Sequence, residues 1–152
     1  MPKTEDHQRR LKLIENEIAE MGGEALLFES TGLDSVQDDK ITGRFNAERD
    51  ESFREFIERC EAFEAEIARE SAAGKFTFAE LEENDEDLKK LQTWLEKIRK
   101  LDFCQATLGP EANDRLGRCV ALLDEFAQRV FDAQAENRPV NPDGATTAGD
   151  QQ

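Results

Sequence analysis

Seven apolar residues, Phe45, Phe53, Phe56, Ile57, Cys60, Phe63 and Ile67, fall on one face of a helical pattern that runs unbroken from about Thr42 to Ala73, with Arg, Glu and Asp on the other face. A stripe this long commits the chain to a long helix, and a helix with one apolar face must bury it against other elements. Two more patterns supply the cover. Leu88, Leu91, Leu95, Ile98 and Leu101, with Trp94 at the edge, predict a helix over about 78–102. Leu116, Cys119, Val120, Leu123, Phe126, Val130 and Phe131 predict another over about 110–135, with Pro110 in its first turn. The expected fold is mainly α, an antiparallel bundle of these three long helices.

Upstream, Leu11, Ile14, Ile18 and Met21 recur at spacings of three and four and predict a helix over about 4–21, closed by Gly22-Gly23. The run "EALLFES" follows, apolar from Ala25 to Phe28 and bounded by glycines and Ser-Thr-Gly. Its length and flanks predict a short strand over about 25–29. No second strand-like segment accompanies it, so its backbone groups call for a partner from another copy or another protein. The organisation expected is residues 1–33 as a helix and strand, 34–135 as the bundle, and 136–152 as a disordered tail, since "NRPVNPDGATTAGDQQ" is nearly free of apolar residues.

The formal net charge is -15, which repels phosphate backbones at long range and makes DNA an unfavoured partner. The basic cluster Lys97, Arg99 and Lys100 is already accounted for by the end of a helix dipole. The three cysteines are odd in number, set in helical stretches and lack a CxxC pair, which predicts reduced, buried thiols. No signal-peptide core or membrane-length apolar run is present, and the expectation is a cytoplasmic protein without a membrane span.

The stretch "GKFTFAELEENDEDLKK" (Gly74 to Lys90) concentrates six carboxylates between Glu80 and Asp87. A calcium loop would need alternating ligands and a central glycine, whereas successive helical residues here diverge by about 100°. A di-iron bundle site would need two Glu-x-x-His motifs, and His7 is the only histidine. No metal site or cofactor is therefore expected. The positions fit a helix start instead: Gly74 closes the preceding helix, Thr77 and Glu80 form a capping box, and Phe76 and Leu81 a hydrophobic staple. Asn84-x-x-Asp87 is a second cap signal, at which the helix would break and restart. Acids at the start of this helix and bases at its end complement its dipole, each by about 0.3–1 kcal/mol when exposed.

Together "GGEALLFES" (22–30), "FNAERDESF" (45–53) and the segment from Cys60 to Phe103 resemble the N-terminal domain of the ChrB chromate-resistance family. The resemblance implies a regulatory role, because ChrB proteins are chromate-sensitive regulators of an associated efflux transporter. It also implies a strand-helix-strand segment upstream and a separate C-terminal domain, neither of which this sequence contains. The chain is then either a shortened member or one clipped by a misplaced start, and 25–29 would be the last strand of a small α/β unit.

The function expected is a non-enzymatic regulatory module; the alternative is a helical protein-interaction or dimerisation module with no ligand of its own. No Ser/His/Asp, Cys/His or phosphate-loop pattern supports an enzyme. Chromate or another oxyanion would want charge-assisted donors, and the candidates beside the resembling motifs are Arg44, Arg49 and Lys75. A protein partner or second copy would dock through the 25–29 strand.

Overall fold

The structure, a computed structural model, describes residues 4–137 as α1 (Glu5–Glu20), α2 (Ser35–Ala72), α3 (Phe78–Leu101) and α4 (Gly109–Glu136). The core lies between α2, α3 and α4, each of which packs on the other two. Its centre is Phe53, Phe56, Cys60, Leu95, Cys119, Phe126 and Val130, all fully buried. Fully burying one such large side chain contributes about 1.5–3 kcal/mol before cavity and entropy terms.

Register follows from four cross-links between α2 and the α4 side. Asp50 reaches Leu108 and the Phe76 carbonyl reaches Gln134, both 58 residues on. Cys60 meets Cys119 after 59, and Glu64 meets Arg118 after 54. A constant offset is the signature of parallel helices, so α4 runs alongside α2 in the same direction. α3 is turned back between them by short connections, and Asn84 meets Glu70 near its start. The same antiparallel register sets the end of α3 beside Phe53. Both partner helices thus stop there; Asn46, Arg49, Asp50 and Ser52 are still half-buried, and residues 35–45 of α2, exposed throughout, overhang the bundle by about 16 Å.

The overhang explains a difference at the start of α2. The pattern predicts a beginning near Thr42, but the helix begins at Ser35, where the Asp34 carboxylate accepts from the Gln37 N–H at 2.9 Å. Those first turns have nothing to bury against. Val36 and Ile41 are exposed and Phe45, expected on the inner face, lies at the surface. Phe131 is also turned out, 56% exposed, with its ring edge-on to Phe78 at 5.6 Å. Leu101, at the last position of α3, is exposed as well.

The strand expected over 25–29 does not form; there is no strand among the described residues. A strand needs a ladder, and the chain offers none, so Leu26 and Phe28 stand 69% and 87% exposed. α1 is a separate rod: it packs on none of the other helices, although His7 sets its ring edge-on to Phe103 at 4.8 Å. Thr4 caps its start and Gly22, at φ 80, lets the chain turn so that the Gly23 N–H bonds the Ile18 carbonyl at 2.8 Å. The tail expected from 136 falls, beyond Asn137, outside the described residues, and Glu136 itself belongs to α4.

α4 begins at Leu108 without a side-chain cap of its own. α2 supplies the acceptor: Asp50 Oδ1 accepts from the Leu108 N–H at 2.8 Å, while Asp102 Oδ1 accepts from Ala106 at 2.9 Å. Asp50→Ala is expected to lose about 1–3 kcal/mol, read as a lower urea midpoint with an unchanged m-value, and Asp50→Asn, which keeps an acceptor, to lose less.

Candidate functional site

The joint between α2 and α3 is built by the "GKFTF" stretch. Gly74, at φ 66, ends α2 with the Lys75 N–H bonded to the Glu70 carbonyl at 3.0 Å. Thr77 caps α3, its hydroxyl accepting from the Glu80 N–H at 3.2 Å. The return half of the capping box is replaced: the Thr77 N–H bonds the Lys75 carbonyl, and the Glu80 carboxylate pairs with the Lys75 ammonium at 3.6 Å. Phe76 and Leu81 both pack against the core, Phe76 on Phe126 at 5.5 Å and under the Arg129 guanidinium.

α3 does not break at Asn84. Asn84 lies inside the helix and is buried to 3% exposure, where its amide donates to the Glu70 carboxylate at 2.6 Å. Glu70 is itself only 6% exposed. Burial pushes its carboxyl above the usual carboxylate range; the Asn84 amide opposes this and neighbouring Glu80 adds to it. Both residues occupy core positions by spacing: Phe63, Ile67, Glu70 on α2 and Leu81, Asn84, Leu88 on α3. A polar pair in matching apolar registers was the available signal for this contact.

A cleft of about 690 Å³ opens along the same α2–α3 seam. Phe63, Leu91 and Trp94 make its apolar wall, and Trp94 is held edge-on to Phe56 at 5.6 Å. Glu70 and Asn84 close one end and Arg59 lines the other. The rim charges are largely matched: Lys90 pairs with Asp87 at 2.7 Å and Glu66 with Arg69. Arg59 is the lining cation without an ion-pair partner among the described residues. The cleft can hold a ligand against an aromatic face between a cation and a carboxyl group.

The acidic run reads as a solvated helix start. Asp85 pairs with Lys89 at 2.6 Å as Asp87 does with Lys90, and those hydrogen bonds raise both ammonium pKa values. No group of three or more metal-ligating side chains occurs among the described residues. Nor is any described helix long and apolar enough to cross a membrane.

The candidate oxyanion residues do not converge. Arg44 and Arg49 sit on the first half of α2, exposed and half-buried respectively. Lys75 lies beyond the far end of the same helix, about 45 Å away along its axis, and is engaged by Glu80. Sequence reading passed over the α2–α4 ion-pair lattice, in which Arg115 meets Glu61 at 3.1 Å and Glu64 at 3.7 Å, and Arg118 meets Glu64 at 3.4 Å.

Because the folded state holds the Glu70 proton more tightly than the unfolded chain, the stability it gives is complete below the ordinary glutamate value of 4.5 and is lost as pH rises through the folded value. Wild-type stability is expected to fall over this interval. Glu70→Gln, which keeps the acceptor for Asn84 and cannot ionise, should flatten the profile and be the more stable form at neutral pH. Urea midpoints measured from about pH 4 to pH 8 check this.

No curated protein and no solved structure matches this chain. The family model described as Protein ChrB, N-terminal, matches residues 1–137, a span that takes in all four helices, the joint and the cleft, and the chain belongs to that family.

Proposed function

We propose that this chain is a regulatory module of chromate resistance, binding chromate without transforming it. The observation that carries the reading is the family match over residues 1–137. Chromate is a dianion and requires more than one charge-assisted donor to offset its dehydration. Of the three candidates, Arg44 and Arg49 are the two that share an element: both lie on the first half of α2, five residues apart, and neither has an ion-pair partner among the described residues. Lys75 is left to Glu80. Both precede Phe53, so an anion held there would act on the part of α2 ahead of the buried core.

A specific observation favours a second reading, a protein-interaction module without a ligand. Leu13, Ile14, Met21, Leu26, Phe28, Leu33, Val36 and Ile41 are all exposed within one continuous stretch that adds nothing to the core. Calorimetric titration with chromate, using sulfate as control, separates the two. The regulatory reading expects heat with chromate that sulfate does not reproduce and that the Arg44→Ala/Arg49→Ala protein loses. Equal heats for both anions, or an unchanged heat in the double variant, would overturn the assignment. The interaction reading expects no chromate heat and a molar mass that rises with concentration in light scattering.

A further inference from the structure

Midway along the parallel α2–α4 seam two cysteines 59 residues apart come into contact. The Cys119 thiol lies 3.7 Å from the Cys60 carbonyl oxygen, both thiols are free, and both residues have no solvent exposure. The small side chains let the two backbones approach closely. The Glu61, Glu64, Arg115 and Arg118 ion pairs lie within one turn of the sulfurs on the same two helices. Cys104, by contrast, is half-buried on the α3–α4 connection.

We propose that Cys60 and Cys119 form a redox-sensitive pair, converted by a small neutral two-electron oxidant, hydrogen peroxide, into a disulfide that staples α2 to α4. The inference stands independently of chromate binding. The Cys119 sulfur attacks one peroxide oxygen, the O–O bond breaks, and a water leaves behind a sulfenic acid. The Cys60 sulfur then attacks that sulfur, the S–O bond breaks, and the Cys60 proton leaves with the hydroxyl as a second water. Two thiols lose two electrons and the peroxide is reduced to two waters.

Contact with the Cys119 thiol, then burial, pushes the Cys60 thiol far above the ordinary thiol range. The same contact, with Arg118 and Arg115 on its own helix, lowers the Cys119 thiol, while burial and Glu64 oppose that. An anionic oxidant is disfavoured by Glu64 and by the net charge of -15, whereas peroxide crosses the seam as the ion pairs open.

The test is a peptide map of the native full chain, and of its Cys104→Ser variant, after peroxide treatment, quenching and alkylation under denaturing conditions. The expected product joins the Cys60 and Cys119 peptides with the loss of two hydrogens, escapes alkylation and is separated by dithiothreitol. The thermal midpoint of the oxidised protein should rise, since the link closes a long loop, and return on reduction. Cys60→Ser should give singly oxidised Cys119 and no link. Recovery of both cysteines as alkylated thiols in the unsubstituted chain, or links only to Cys104 or between chains, would overturn the proposal.

Discussion

Burial of one face of α2, from Phe53 to Ile67, between α3 and α4 is the contact on which every other feature depends. It fixes α4 parallel to α2, because Asp50, Cys60 and Phe76 each find their partner at nearly the same offset. It also fixes where the bundle ends, at Phe53, and so leaves the first half of α2 and everything before it outside the core. The polar contacts decorate this arrangement at its two ends: Asp50 holds the start of α4, and Glu70 with Asn84 holds the joint to α3.

That division of the chain has a functional sense. The bundle is largely matched internally: its central apolar stripe is buried and most of its seam charges are paired, with Arg59 the exception among the described residues. The part of α2 before Phe53 is less matched, with the exposed apolar residues Val36 and Ile41 and two arginines, Arg44 and Arg49, that no carboxylate among the described residues engages. A ligand or partner that acts on residues 35–45 would meet a lone stretch of helix, which is easier to reorient than a packed one. The cleft beside Trp94 and the thiol pair lie in the packed part, where a bound molecule or a covalent link would alter how α2 sits against its neighbours.

Much of the bundle was legible in the sequence because an apolar stripe states directly which residues need cover. The ends were less so. Ser35 to Ile41 carries no inward stripe, so only the Asp34 cap marks the true start of α2. The run at 25–29 has strand composition, but composition cannot supply a ladder. Asn84 looked like a cap because Asn is a good capping residue, and its partner Glu70 lies fourteen residues earlier on another helix. Phe131 follows the stripe of α4 but falls one position past its buried edge at Val130. The oxyanion candidates were chosen for charge and neighbourhood in sequence, and the length of α2 is what separates Lys75 from the other two.

The central claim, that one cooperative bundle starts at Phe53 while the preceding half of α2 stands outside it, is tested most directly by native-state hydrogen exchange resolved by residue. The account predicts slow exchange with a common opening free energy from about Phe53 through α2, α3 and α4, and fast exchange through α1, residues 24–31 and the first turns of α2. Amides of residues 24–31 or 35–45 as protected as those around Phe56 in a proven monomer would contradict it.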